Sequence, residues 1–501
     1  MKLSVLMLLE GTYPFYRGGV STWVHDLISN LPDFDFNLLG ITGNTNVEVK
    51  YNLPKNVKRL IFIPLWGAEM TEEYDSISAL DVLRRTLRTR DKIVEKEFLP
   101  HFENLLKECM VGGRDLKKFG EALVGIYNFS KEHSQKKAFQ TKIVWDTFFQ
   151  MISGDPVYGK MSIIDSVEAC RAFQFYLQIL TRIPPKVDLC HSSAAALSGI
   201  PAIVMKIQRG TPYLLTEHGI YFRERVLGMI ASNPIHKLFW INFIRALAKA
   251  NYFYADKIVT VCNFNITWEK RLGVPLNKIE TIYNGVNLER FKSKENVLKH
   301  DLSETVVCMS RIDRIKDLFN LIEAMKHVKQ RFPNVKCKIF GPVEDEEYYR
   351  LCVQRVRKLG LEKTVTFEGD TNAPEDELNK ADVVALPSLS EAFPYSVVEA
   401  MACGKVVVAT DVGGVKEAIN DCGIVVPARS SRRLAEGISR ALADSSLREK
   451  ISVSARERVE QHFSHDRFIL DWRRAYAELL TGTKLEQMAT GGIGQFETCA
   501  R

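Results

Sequence analysis

The chain of 501 residues lacks the features that would commit it to several common classes. Its ten cysteines form no C-x-x-C pair and keep no regular spacing, as Cys190, Cys262, Cys337 and Cys403 illustrate. That pattern argues against a disulfide framework or a zinc site and leads us to expect reduced core cysteines in a cytosolic protein. No charge-free apolar stretch reaches the ~18 residues that a spanning helix needs, so membrane association would run through a partner or a surface patch. The opening run Met1–Leu9 is apolar with one positive charge, yet it stops at Glu10 without an A-x-A-like cleavage site, which predicts a buried first strand rather than a signal peptide. Excess charge is small: 68 basic minus 61 acidic residues leaves +7, with both signs interleaved, so no nucleic-acid partner is demanded. A dinucleotide fingerprint G-x-G-x-x-G is also missing after the first strand, which argues against a dehydrogenase.

What is present is material for large cores, 46% hydrophobic against 26% charged residues. At roughly 150 residues per domain, two to four domains are expected. From Leu3 an apolar run of strand length gives way to Gly11, Pro14, Gly18 and Gly19, then to Val20, Trp23, Val24, Leu27 and Ile28 at helical spacing: strand, glycine loop, helix. Further strands are predicted at 36–41, 60–64, 187–191, 213–216, 257–261 and 279–283, several followed by helical patterns. An α/β domain with a mostly parallel sheet follows. Between about 66 and 183 the strand signal fades, and 79–98 and 164–180 show helical periodicity; this is either a helical insertion in the first domain or a separate helical domain. The polar, Lys-rich stretch 288–301 suits a linker. After it come predicted strands at 306–310, 336–340, 365–367, 383–386 and 406–409 and a helix over 318–332, a second α/β domain that would leave a cleft beside the first.

The densest chemistry lies in 388–414. Glu391 precedes a predicted helix whose first position is Pro394, and Glu399 follows eight residues later inside that helix. Two glutamates at such a spacing are often just a solvated face. Here they follow a strongly apolar strand, so the loop and helix N-terminus fall at the C-terminal edge of the sheet, where open α/β folds bind ligands and where free N–H groups attract an anion. Arg311 directly follows the strand 306–310 and Lys316 comes five residues later, cations placed to reach the same edge and to meet a diphosphate without a metal. In the first domain, Gly18-Gly19 would let a ligand approach the backbone, although most such pairs are only turns. His218, at the end of the strand 213–216, is a candidate for a substrate hydroxyl, although a lone histidine is usually structural. His462 and His465, at i,i+3 with no third ligand nearby, are expected to be surface residues.

In that order, Ser310–Asp317 (SRIDRIKD), Phe340-Gly341-Pro342, Leu386-Pro387-Ser388, the Glu391/Glu399 pair, Val412–Glu417 (VGGVKE) and Gly423–Pro427 (GIVVP) resemble the donor-binding domain of the family 4 retaining GT-B glycosyltransferases. Ile282–Asn287 (IYNGVN) is similar to the segment before that family's hinge, and the likeness runs from about 279 to 470. Val406 departs from it, since many members have proline after the glycine. Glu10–His25 (EGTYPFYRGGVSTWVH) and Leu215–Arg225 (LTEHGIYFRER), flanking the helical stretch, look like the Pel-type members, cytoplasmic polymerising glycosyltransferases of exopolysaccharide synthesis, as far as about Thr481.

The resemblance implies a GT-B fold: two Rossmann-like domains facing across a cleft, an acceptor-side domain over 1–290 with its helical insertion at about 66–183, and a donor-binding domain over 302–465. A C-terminal helix over 466–481 would cross back to the first domain, and 482–501 would be a disordered tail. It implies a UDP-sugar donor, UDP-glucose first and UDP-N-acetylglucosamine or its galacto relative next, a polysaccharide acceptor, an inner-membrane export complex as partner, and no cofactor or metal. Arg311 and Lys316 would bind the diphosphate, Glu399 the ribose, Glu391 the transferred sugar, and the backbone around Phe393, Pro394 and Tyr395 the sugar or phosphate. Gly18 and Gly19 would close over the donor, and His218 would orient sugar or acceptor. The enzyme would be cytoplasmic, or peripheral at the inner membrane through partner proteins. Two alternatives share the fold. A sugar-nucleotide epimerase is disfavoured by the context of the Glu pair, and a non-catalytic UDP-sugar-binding component of an export complex by the intact set Glu391, Glu399, Arg311 and Lys316.

Overall fold

The computed structural model describes residues 2–66, 78–182, 186–229, 233–294 and 304–480. These form two compact units: the first takes the described residues of 1–260, 268–280 and 472–480, the second those of 261–267 and 281–471.

The first unit is built on a seven-stranded sheet, β1 (Leu3–Glu10), β2 (Phe34–Thr42), β3 (Val57–Pro64), β4 (Leu189–Ser192), β5 (Tyr213–Glu217), β6 (Lys257–Thr260) and β7 (Ile279–Thr281), in the order β3-β2-β1-β4-β5-β6-β7. Where register is resolved the pairs are parallel, for example Val5 beside Phe36 on one side and Leu189 on the other. The near-continuous apolar character of β1 follows from this position, because a central strand of a parallel sheet is covered on both faces. The strand order reverses between β1 and β4, with β2 and β3 on one side of β1 and β4 onward on the other.

The helical stretch shares one contiguous core with this sheet: Leu6, Leu8 and Ile41 belong to the same buried cluster as Phe98, Phe102, Phe148, Phe173 and Phe239. Phe102 is fully buried and lies 5.7 Å from Phe98 and 6.0 Å from Phe173, ring centre to ring centre. Burying each such ring stabilises by about 1.5–3 kcal/mol. The helical periodicity over 79–98 is realised in two pieces. Ala79–Arg88 ends where the buried Thr89 hydroxyl donates to the Arg85 carbonyl and accepts the N–H of Ser134, and after Asp91–Ile93 the residues Val94–Phe98 make a π-turn. A side-chain hydrogen bond here outcompetes helical propagation. The helix expected at 164–180 runs Ile163–Leu177, started by a reciprocal Ser162/Asp165 capping box, and passes into a 3-10 turn.

The second unit holds six strands, β8 (Thr305–Met309), β9 (Lys336–Phe340), β10 (Val365–Gly369), β11 (Val383–Leu386), β12 (Val406–Thr410) and β13 (Ile424–Val426), in the order β10-β9-β8-β11-β12-β13, all parallel. The order again reverses at its middle, between β8 and β11. Both halves are thus Rossmann-like parallel sheets, as expected from sequence. Part of the expected linker, 295–301, lies outside the described residues, as does the tail after 480, while Phe291 just before is buried.

Among the described residues nine cysteines are free, and eight of those are buried. No described helix is long and apolar enough to cross a membrane.

Candidate functional site

In the second unit the chain leaves β8 at its C-terminal edge through Ser310 and Arg311 and makes a short 3-10 turn, Arg314–Lys316, capped by Asp313, whose carboxylate accepts the Ile315 N–H at 3.1 Å. The neighbouring strand β11 leads into Ser388–Glu391, and the Leu389 N–H donates to the Ile315 carbonyl at 2.8 Å, stitching the two loops together. That seam brings Lys316 to Glu391: Nζ donates to Oε1 at 2.6 Å, and the Ser388 hydroxyl donates to the same oxygen at 2.6 Å. Both charged side chains are largely covered, 14% and 9% exposed. Ser388 is itself fully buried, its carbonyl accepting the Thr410 hydroxyl at 2.6 Å. Removing one member of such a covered pair costs about 3–5 kcal/mol, because the other is left charged without its partner.

Two glycine positions make this loop possible. Gly413 has φ 56, and a Cβ there would lie 1.6 Å from the Glu391 carbonyl oxygen; the next residue, Gly414, donates its N–H to the Ala392 carbonyl at 2.7 Å. Gly341, φ 147, presses on the backbone of Ser310 in the same way, with a Cβ only 2.1 Å from its carbonyl oxygen. Sequence motifs flagged these glycines, but their job as supports for the Glu391 and Arg311 turns is visible only in three dimensions.

The other expected residues fall nearby with different environments. Arg311 is half exposed, and its guanidinium is paired with Glu344 on the loop after β9. Glu399 is half-buried on the helix Tyr395–Ala402. Pro394, expected as the first residue of this helix, is its N-cap, with φ −76 and ψ 122; the helix proper begins at Tyr395, itself part-exposed. Phe393 is a core residue: its ring sits 5.2 Å from Tyr283 and 5.1 Å from Phe463, and its carbonyl accepts the Asn284 amide at 3.3 Å. Its side chain is therefore committed to packing.

In the first unit Gly18 is the N-cap of the helix Gly19–Ser29, with φ 154, and nothing crowds the position of its missing Cβ; Gly19 is the first helical residue, and both are exposed. That helix delivers Trp23, fully buried, with its ring 4.4 Å from His218 and 5.1 Å from Trp472. His218 follows β5, and its Nε2 is sealed from solvent with no hydrogen-bond partner. Burial pushes its pKa down to about 3, so the ring is neutral. Sequence reasoning missed the second imidazole, His191 on β4. Its Nε2 lies 2.6 Å from the Thr216 hydroxyl and its Nδ1 2.8 Å from the Tyr476 hydroxyl, and burial, helped by His218, holds its pKa at about 3. It also missed Glu10 at the end of β1, which accepts from Arg225 at 3.1 Å and from the Tyr221 hydroxyl at 3.3 Å. Glu217 was overlooked as well; fully buried, it accepts the N–H groups of Ala195 (2.9 Å) and Tyr221 (3.3 Å), and its pKa is driven well up by burial and by Glu269. His191 lies on β4 and His218 just after the neighbouring β5, and no local pattern carries that adjacency.

Asp165, Glu168 and His236 also gather within 4.8 Å of one another. His236 donates from Nδ1 toward Asp165 (3.2 Å) and accepts the Trp240 indole N–H on Nε2 at 2.7 Å, so both nitrogens are engaged and the trio joins two helices.

Residues 3–277 match the family described as Domain of unknown function (DUF3492), and residues 289–458 match Glycosyl transferases group 1. An uncharacterised glycosyltransferase of Methanocaldococcus jannaschii, MJ1607, is 32% identical over 209 residues, 38% of this chain and 52% of that protein. The chain spans about half the length of several curated relatives it matches. Among solved structures, sucrose-phosphate synthase from Thermosynechococcus elongatus superposes with a TM-score of 0.62 at 19% identity, covering 96% of this chain and 99% of that one. Anabaena Alr3699/HepE in complex with UDP and glucose gives 0.61 at 17%, covering 96% and 100%. At these identities the likeness establishes the two-domain GT-B fold.

Proposed function

Since the chain belongs to the DUF3492 family and joins that domain to a group 1 glycosyl transferase domain, we propose that it is a retaining, metal-independent enzyme that moves a hexose from a UDP-sugar, UDP-glucose first, to a growing exopolysaccharide, in the manner of the Pel polymerase PelF. The observation that carries this reading is the covered Lys316–Glu391–Ser388 cluster at the point where the second sheet reverses its strand order, the place where open α/β sheets bind ligands. HepE, solved with UDP and glucose, supports the donor class.

Breaking the anomeric bond leaves positive charge on the sugar and negative charge on the diphosphate. An ammonium fixed by a carboxylate needs no reorganisation to meet that charge, so it stabilises the transition state more than the ground state. Lys316 has two further N–H donors beyond the one given to Glu391. In this reading those donors and the Arg311 guanidinium take the diphosphate, and Glu399 takes the ribose. Glu391 lies beside the sugar, Gly18 and Gly19 admit the donor to the backbone, and the neutral His218 orients the sugar or acceptor. The departing phosphate assists deprotonation of an acceptor attacking from the same face. The acceptor polysaccharide, and an inner-membrane export complex as the partner to which the protein is recruited, belong to the same proposal.

The test is calorimetry with a panel of nucleotides and nucleotide sugars, without divalent metal, on the wild-type protein and Lys316→Ala. UDP and one UDP-sugar should bind to the former and be lost from the latter. Binding of GDP or ADP compounds with no UDP compound would overturn the donor assignment.

A further inference from the structure

A hollow with a volume of roughly 600 Å³ lies in the second unit. It is bounded by the start of the helix Leu318–Arg331, the last turns of the helix Glu346–Lys358, Leu389, and the turn from Arg429 to Ser431. Neither Arg311, Lys316, Glu391 nor Glu399 lines it.

Two independent observations suggest that the hollow is built to hold something. Asn320 lines it, is only 7% exposed, and its side-chain Nδ2 has no hydrogen-bond partner. A buried amide left so costs about 1–3 kcal/mol, a cost that is offset when the amide turns its N–H groups to a ligand acceptor in the hollow. Backbone strain also collects there. Of the three non-glycine residues with positive φ among the described residues, Asp317 (45°) and Arg429 (58°) both flank this hollow. Such conformations cost on the order of 1–3 kcal/mol each and cluster at ligand sites.

The lining chemistry selects the ligand. Asp317 and Glu323 contribute carboxylates, Arg355 is tied to Glu323, Arg429 acts on Asp317, and Lys358 adds a further cation. Carboxylates set among the cations leave no cluster of one sign to hold a free anion such as phosphate, and so many polar groups disfavour a purely apolar guest. Carboxylate and amide groups alternating with the apolar surfaces of Phe319, Leu351 and Leu389 suit an uncharged ring that carries hydroxyls on its rim and C–H groups on its faces. We propose that this hollow is a carbohydrate subsite that holds a neutral segment of glycan apart from the donor-binding residues. The choice of a glycan over other polyols rests on the proposed transfer to a polysaccharide. Its walls continue into the donor loops, since Asp317 follows Lys316 and Leu389 is bonded to Ile315 two residues before Glu391. A bound chain would therefore brace the turns that carry the Lys316–Glu391 pair.

The experiment is saturation-transfer NMR and calorimetry on the full-length protein, using neutral tetrasaccharides of glucose and of N-acetylglucosamine, with and without saturating UDP. Wild-type protein should bind one of them in both conditions. Gln354→Trp, which fills the hollow from its exposed rim, should weaken that binding by at least about tenfold while UDP affinity stays within about twofold, and Asn320→Ser should do the same if it folds. Unchanged saccharide binding in Gln354→Trp, no saccharide binding at all, displacement of the saccharide by UDP, or displacement by inorganic phosphate would each overturn the proposal. If the saccharide binds while UDP does not, the subsite stands and the donor reading fails.

Discussion

The two units gather polar residues near their sheet edges by opposite means. In the second, an ammonium and a carboxylate are held 2.6 Å apart and nearly covered, with a buried serine on the same oxygen. In the first, Trp23, Trp472 and two imidazoles kept neutral by burial make a cluster without net charge, and the nearby carboxylate Glu217 is itself pushed toward its neutral form. A fixed charge is suited to stabilising charge that develops during a reaction, whereas a neutral imidazole is suited to orienting a hydroxyl. The difference also predicts how each unit breaks.

The largest effect should come from Lys316→Ala. It strands Glu391 as a covered, unpaired carboxylate, lowering stability by about 3–5 kcal/mol, and it should reduce transfer by roughly 10²–10³-fold. Thermal unfolding and product formation would read the two effects separately, and intact activity would remove Lys316 from the reaction. Gly413→Ala comes next. With a Cβ meeting the Glu391 carbonyl and φ at 56, it should cost about 2–3 kcal/mol and impair UDP binding, which calorimetry would report.

Acid should act on the first unit instead. His191 and His218 have folded pKa values of about 3 against a usual 6.5, so the unfolded chain binds more protons between these values. Their contribution is complete above about 6.5 and is lost as pH falls toward 3. Hydrogen exchange between pH 7 and 4 should show β4 and β5 opening first, and His191→Gln should flatten that dependence.

A smaller effect is expected from His218→Gln, about tenfold on transfer with UDP affinity unchanged; equal loss of both would make the residue structural. Smallest is the stability change of Arg311→Ala. Its pair with Glu344 is exposed enough that unfolding should shift by under about 1 kcal/mol, even though donor affinity should fall. A large drop in melting temperature would contradict the contrast between a half-exposed Arg311 and a covered Lys316.

Much of the fold could be read from residue order. Continuous apolar runs such as Val383–Leu386 and Val406–Thr410 betray strands covered on both faces, and the expected β9 and β11 coincide with the observed ones. Of the candidate site, Lys316 and Glu391 were singled out from separate segments, and the structure brings them into contact. Missing from sequence were features that depend on which strands are neighbours. His191 and Thr216 are 25 residues apart, and only the pairing of β4 with β5 makes the histidine visible as part of a cluster. The packing of Phe393 was hidden for a similar reason: only its backbone was expected at the ligand, and Tyr283 and Phe463, distant in sequence, claim its ring.

The last described helix, His465–Leu479, carries a consequence for how the protein is made. Its first residues belong to the second unit, but Trp472 and Tyr476 complete the aromatic cluster of the first, Tyr476 through its hydroxyl on His191. On a translating ribosome, β1 to β7 therefore emerge long before the side chains that seal their core, and the intervening unit can finish folding while the earlier one waits. The first half of this chain is born unfinished, and a nascent polypeptide arrested before Trp472 should be a better chaperone client than its length alone would suggest.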